Sequence, residues 1–229
     1  MISILCPSRG RPTLAKYMID TAMSTAQTDI EILLYLNNDD PALDEYKNII
    51  NNRHILVGND RSPNYTWNKL SEIATHDIMF LVSDDAWFET QSWDHEVIKV
   101  FNEYPDRIAF VFPSIDNLPW KTGIAPVDSC PHYFLHKNWI KAVGYFTPPQ
   151  FWHWFSDLYW KKCALSIGRF RKMTNIHIPC QLELVDETEK RKDIFSNRER
   201  DIWLWTHSSI DRLIKNDVIA LQDFINNYR

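Results

Sequence analysis

Apolar and polar positions alternate in blocks along the first half of the chain, and the blocks predict strands and helices in turn. Ile2–Cys6, Glu31–Leu36 and His54–Val57 read as short apolar strands. A fourth lies in Asp77-Ile78-Met79-Phe80-Leu81-Val82-Ser83-Asp84-Asp85, where a short apolar run free of Gly and Pro ends in two adjacent carboxylates. Between the strands, apolar stripes recur at helical spacing. Leu14, Tyr17, Met18 and Ala22 follow a cap at Thr13, in a helix through about Ala26. Leu43, Tyr46, Ile49 and Ile50 form a second stripe, and Trp67, Leu70, Ile73 and Ala74 a third. This alternation implies right-handed crossovers and a mostly parallel sheet flanked by helices, an α/β Rossmann-like fold.

The second half is less regular. A helix over Gln91–Tyr104 turns Trp93, Val97, Val100 and Phe101 inward, and Ile108–Phe112 is a strand. Asp116–Pro131 reads as loop, His132–His136 as a strand and Asn138–Val143 as a short helix. Another loop, Gly144–Pro149, leads into the most aromatic stretch, Phe151–Trp160, with Asp157 on a helix. Ile176–Ile178 reads as a short strand. The charge-rich segment Asp186–Asp201 is a solvated helix or a mobile loop and receives no fixed shape. Ser208–Tyr228 is an amphipathic helix with Ile210, Leu213, Ile214, Leu221, Phe224 and Ile225 on one side. No repeat or low-complexity linker interrupts the 229 residues, so a single domain with an irregular C-terminal half is the economical organisation.

Composition narrows the function classes. A chain 45% hydrophobic and 24% charged is ordinary for a soluble globular protein, and no apolar run approaches the ~20 residues of a membrane helix. The net charge of −5 argues against polyanion binding over the whole surface. A local basic cluster, Lys161, Lys162, Arg169, Arg171 and Lys172, reads as a solvated face or as a contact for a phosphate backbone. Four widely spaced cysteines without a CxxC pair disfavour a thiolate metal site. With only five glycines, neither a Walker loop nor a GxGxxG fingerprint is present. No basic leader precedes the first strand, so a cytoplasmic protein with free thiols is expected. Ten tryptophans are more than a core needs, and some are expected to line a groove.

Three strand ends are alike in kind. Pro7-Ser8-Arg9, with Arg11 close behind, follows the first strand, Asn37-Asn38-Asp39-Asp40 the second, and Ser83-Asp84-Asp85 the fourth. In a parallel sheet such ends share one edge and line one crevice. Solvated turns would explain each one singly, because Asp is common at strand ends. Jointly they suit a nucleoside diphosphate: acceptors for base or ribose, arginines for phosphate and a carboxylate pair for a divalent metal.

The segments "ISILCPSRGRP" at 2–12, "LNNDDP" at 36–41, Trp67-Asn68 and "HDIMFLVSDDAWF" at 76–88 resemble the nucleotide-binding half of GT-A glycosyltransferases, the family 2-like type of bacterial and phage genomes. The resemblance covers residues 1–90 well and 130–180 loosely. It implies a nucleotide-binding half over 1–90, an acceptor and catalytic half over 91–180, and a charged segment with the C-terminal helix over 181–229. It implies a metal-dependent glycosyltransferase moving a sugar from a nucleotide-diphosphate sugar, a UDP-sugar by preference, to an acceptor hydroxyl. Pro7, Ser8, Arg9, Arg11, Asn38, Asp39, Trp67, Asn68, Ser83 and Asp84 would then bind donor. Ser83-Asp84-Asp85 stands where the family has its acidic DxD motif, with Ser replacing the first acid, which leaves Asp85 as the ligand of Mn²⁺ or Mg²⁺. The acceptor would be a glycan, a small molecule or a modified DNA base extruded from its duplex.

Downstream residues complete the expected site. Asp157 is the candidate general base, among aromatics that would raise its pKa, at a position resembling the acidic residue that serves inverting members of the family as base; a carboxylate favoured by the helix dipole is the structural alternative. His177 is the candidate further metal ligand, with His132, His136 and His153 as weaker ones and His207 as a cap of the last helix region. Tyr145, Trp152 and Trp154 are candidate acceptor platforms, with core packing as the rival. A nucleotidyltransferase would use similar strand-end carboxylates, but Ser8–Pro12 with its single Gly is a poor phosphate loop. A non-catalytic nucleotide- or glycan-binding domain is the third possibility.

Overall fold

The strands form where the apolar runs place them, and their register sets the site. A computed structural model describes residues 1–51, 54–60, 62–115, 130–180, 197–207 and 209–228. The strands are β1 (Ile2–Pro7), β2 (Ile30–Asn37), β3 (Ile55–Gly58), β4 (Ile78–Leu81), β5 (Phe110–Ser114), β6 (Tyr133–His136) and β7 (Phe170–His177). They join one sheet in the order β3-β2-β1-β4-β6-β5-β7. Central β1 pairs in parallel with β2 and β4, Ile2 standing opposite both Ile30 and Ile78. β6 is antiparallel to β4 and β5, whereas β7 runs parallel to β5. The result is a mostly parallel sheet in a single α/β domain.

Helices α1 (Pro12–Thr25), α2 (Leu43–Ile49), α3 (Pro63–Ile73), α4 (Trp93–Asn102), α5 (Lys137–Val143), α6 (Ser156–Ser166), α7 (Arg198–Thr206) and α8 (Ser209–Asn227) surround it. Alternation along β4 shows how both faces are filled. Ile78 and Phe80 join one core with Met18 and Ala22 of α1 and Trp93 and Val97 of α4. Met79 and Leu81 join the other with Leu70 of α3, Trp139 of α5, Trp160 of α6 and Leu221 of α8. Burial on both faces explains why the strands read as continuous apolar runs. Trp93, Trp139 and Trp160 are fully buried, so core packing claims much of the tryptophan excess, whereas Trp203 is 60% exposed.

Several boundaries differ from the sequence expectation. α1 starts at Pro12 without a side-chain cap, because Pro already carries helical φ and needs no N–H there; Thr13 lies inside the helix. β5 begins and ends two residues later than Ile108–Phe112. The largest difference is β7, which extends from Phe170 rather than from Ile176. A register shift between Pro113 and Ser114 puts Met173 and Ile176 in the same core although they are three residues apart. That bulge erases the period of two by which a strand is recognised. α7 occupies part of the segment left without shape, while Asp186 and its neighbours to residue 196 lie outside the described residues, as do residues 116–129 of the expected loop.

His136 caps α5, its Nδ1 accepting from the Asn138 N–H at 3.1 Å. Burial pushes the ring's pKa down to about 4. The unfolded ring titrates near 6.5, so between about 6.5 and 4 the unfolded chain binds more protons, and stability falls as pH falls through that window. Relative to His136→Asn, which keeps a capping acceptor, the wild type should lose about 2 kcal/mol over that range. Denaturant melts at both pH values check this, and parallel curves for the two proteins would refute it.

Candidate active site

Because β1, β2 and β4 run in register, their C-terminal loops meet at one edge, and a polar network joins them. Arg9 reaches across to Asp39 with two hydrogen bonds of 2.6 and 3.2 Å. Asp40 accepts from the Gly10 N–H at 2.8 Å and from the Ala42 N–H at 2.9 Å. Asn38, exposed at the end of β2, is fixed through its own N–H to the Gly58 carbonyl. Pro7 ends β1, and Ser8 is buried behind it.

Two adjacent carboxylates repel each other, and the chain supplies the compensating cation. Arg11 forms an ion pair with Asp84, donates from Nε to Asp84 Oδ2 at 3.0 Å, and lies 3.7 Å from Asp85 Oδ2. Asp84 also accepts from Ser8 Oγ at 2.5 Å, and Ser8 Oγ in turn meets Tyr46 Oη at 2.7 Å. Tyr46 closes the circuit by accepting the Arg11 N–H at 2.9 Å. Asp84 is fully buried, and burial pushes its pKa up to about 6 against the pull of Arg11. Asp84 thus spends its oxygens inside the protein, holding Arg11. Sequence reading placed Tyr46 only on an apolar stripe, and its hydroxyl contacts carried no linear signal.

Asp85 differs. Ser83 Oγ donates to its Oδ1, and Ser83 Oγ also meets His132 Nε2 at 2.9 Å. His132 is 2% exposed, and burial pushes its pKa down to about 4, so the ring is neutral at physiological pH. His177 stands elsewhere. The segment after Asp85 runs antiparallel to the end of β7, with Ala86 opposite Cys180 and the Glu89 N–H on the His177 carbonyl. His177 therefore lies level with Glu89 and Thr90, and Cys180 is the residue level with Ala86. Among the described residues no three His, Cys, Asp or Glu side chains form a metal-binding group.

Trp67 and Asn68 face inward. Trp67 Nε1 donates to the Leu5 carbonyl at 3.1 Å, while Asn68 Oδ1 accepts from Phe146 and Thr147 N–H groups. They tie α3 to β1 and to the loop before the aromatic stretch. That stretch is anchored twice more. Ser62 and Asn64, at the start of α3, bond the Trp152 and Phe151 carbonyls. Asp201 of α7, fully buried, accepts from the N–H groups of Trp152, His153 and Trp154 at 2.9, 2.9 and 3.0 Å. Trp154 packs against the Arg198 guanidinium, and Trp152 is half-buried. Tyr145 stacks on Trp160 and donates to Asp217 of α8, which also accepts from Tyr159 at 2.6 Å.

The anchored loop ends at Phe155, whose φ of 71° forms the left-handed turn that starts α6. Asp157 follows in the first turn. Its Oδ2 accepts from the Cys130 N–H at 2.6 Å, and burial raises its pKa above the ordinary carboxylate value. A carboxylate with raised pKa is suited to accepting a proton near neutral pH.

The basic cluster is partnered within the chain. Arg169 pairs with Asp106 and Arg171 with Glu103. Lys161, Lys162 and Lys172 lie over the rings of Phe170, Trp205 and Phe112. The four cysteines are free and buried, and no helix among the described residues is long and apolar enough to cross a membrane.

No protein-family model and no curated protein sequence matches the chain. Solved structures do. The mannosyltransferase PcManGT from Pyrobaculum calidifontis, in complex with GDP-Man and Mn²⁺, superposes with a TM-score of 0.63 at 10% identity, over 100% of this chain and 76% of that one. S. aureus TarS 1–349 in complex with UDP gives 0.59 at 9% identity, over 94% of this chain and 64% of that one. The same TarS fragment with UDP-GlcNAc gives 0.57 at 11% identity, over 77% and 57%. In these two superpositions the chain spans less than two thirds of the TarS fragment's length. At these identities the likeness defines the fold, which is GT-A-type.

Proposed function

We propose that this protein is a glycosyltransferase that moves a sugar from a nucleotide-diphosphate sugar to an acceptor hydroxyl. One observation carries the reading. In a GT-A-type fold, Arg9 and Arg11, Asn38 and Asp39, and Asp85 meet at the single sheet edge where α/β proteins bind ligands. The solved neighbours, crystallised with UDP, UDP-GlcNAc or GDP-Man, support a nucleotide-sugar donor, and a UDP-sugar is the first choice.

Asp85 fits a hard divalent cation. Its Oδ1 is tied to Ser83, its Oδ2 lies 3.7 Å from Arg11, and Mg²⁺ or Mn²⁺ takes one or two carboxylates together with phosphate oxygens. The chemistry such an ion supplies is charge neutralisation on the departing diphosphate. Arg11, held by Asp84, supplies positive charge at the same edge. Asp157 accepts the proton of the acceptor hydroxyl, and Trp152 and Trp154 offer faces for the acceptor ring. With Tyr145 tied to Asp217, its share in that platform is an apolar edge. Asp85 is the metal ligand of this reading.

Thermal melting tests it. UDP or GDP with Mn²⁺ should raise the melting temperature of the wild type by several degrees, through preferential binding to the folded state. Asp85→Ala should remove the Mn²⁺-dependent part of that rise. Absence of any shift with either nucleotide would overturn the reading.

A further inference from the structure

Ser83 and His132 have no direct part in the proposed transfer, yet they form a chain that ends on Asp85. His132 Nε2 lies 2.9 Å from Ser83 Oγ, and Ser83 Oγ bonds Asp85 Oδ1. The Ser83 N–H also points at His132 Nε2, at 3.4 Å, so the ring holds Ser83 through both backbone and hydroxyl while the serine hydroxyl donates to Asp85. The chain is built from rigid parts. His132 directly precedes β6, which pairs with β4 through Leu81 and Tyr133. It is 2% exposed and packs edge-on against Phe80 at 6.3 Å. Ser83 lies just beyond the same end of that pairing, two residues before Asp85.

We propose that Ser83 and His132 are positioning residues: they fix the rotamer of Asp85 so that one oxygen is spent on Ser83 and the other is presented to a divalent cation. The inference rests on Asp85 as the metal ligand. Outer hydrogen bonds of this kind orient ligating carboxylates, and their loss costs about 10–100-fold in metal affinity. The serine at 83 then has a use of its own. An acid there would repel Asp84 and Asp85 and could not donate to Asp85, whereas a hydroxyl donates and adds no charge.

The test measures Mn²⁺ affinity from the loss of the free-ion paramagnetic resonance signal, in saturating UDP and in parallel in saturating GDP. UDP and GDP affinities are measured separately in EDTA. Ser83→Ala and His132→Ala should weaken Mn²⁺ binding about 10-fold or more, and by a clearly larger factor than they weaken nucleotide affinity in EDTA. His132→Gln, whose amide can hydrogen-bond Ser83, and Ser83→Thr, which keeps the hydroxyl, should recover most of the loss. Unchanged Mn²⁺ affinity in Ser83→Ala would overturn the positioning role and leave Asp85 as ligand. A parallel fall of Mn²⁺ and metal-free nucleotide affinity would also overturn it, as general damage. Absence of nucleotide-dependent Mn²⁺ binding in the wild type would remove the metal ligand itself, and this inference with it.

Discussion

Asp157→Asn should lower the rate of sugar transfer, or of donor hydrolysis by water, about 10²–10⁴-fold while leaving nucleotide binding near that of the wild type. The amide is isosteric and can still accept from the Cys130 N–H, so the first turn of α6 keeps its anchor. It cannot take up a proton. Because burial raises the Asp157 pKa, the acid limb of the wild-type pH–rate profile should lie above the usual carboxylate value, activity falling as pH drops through it. A variant that retains full rate would show that Asp157 serves α6 alone. A binding domain without catalysis would lose only affinity.

Asp201→Ala should be the most destabilising single change outside the apolar core. It removes the one acceptor shared by three successive N–H groups at Trp152, His153 and Trp154. Each orphaned buried donor costs about 1–3 kcal/mol, and with partial hydration of this turn a total of about 3 kcal/mol is expected. For a chain of this size that is about 6–12 °C in melting temperature. Asp201→Asn retains a single acceptor oxygen and should fall between. Because the same turn leads into Phe155 and Asp157, Asp201→Ala should also slow transfer more than it weakens nucleotide binding. A melting temperature unchanged within 2 °C would contradict the anchoring role.

The polar edge of the sheet was legible because its strands are buried on both faces. Continuous apolar runs announced β1, β2 and β4, and the polar residues that ended them were those the parallel register brings together. Pair interactions were not legible. That Asp84 is sealed inside with Ser8, Tyr46 and Arg11, while Asp85, the next residue, meets Ser83 and through it His132, depends on side-chain direction beyond a strand end. Asp84 and Asp85 are the central residues of a turn closed by the Ala86 N–H on the Ser83 carbonyl, where side-chain directions do not follow the alternation of a strand. His132 was weighed only as a metal ligand, because its partner lies 49 residues away.

Other misses have local causes. The start of β7 was hidden by the bulge that sets Met173 and Ile176 on one face, and by Arg171 and Lys172, whose charges read as a solvated patch until their partners Glu103 and Phe112 were in place. α7 was hidden because Arg198, Glu199, Arg200 and Asp201 read as a solvated run, whereas Asp201 is fully buried as an acceptor for backbone that sequence cannot place. Both cases are tertiary contacts overriding local composition.

The most direct measurement is an incubation of the wild type with a panel of UDP- and GDP-sugars, with Mn²⁺ and with EDTA, followed by mass spectrometry of the nucleotide products. Glycosyl transfer predicts that at least one donor releases its nucleoside diphosphate, that EDTA suppresses the release, and that Asp157→Asn abolishes it. Release of pyrophosphate from a nucleoside triphosphate, or nucleotide binding with no diphosphate formed from any donor, would contradict it.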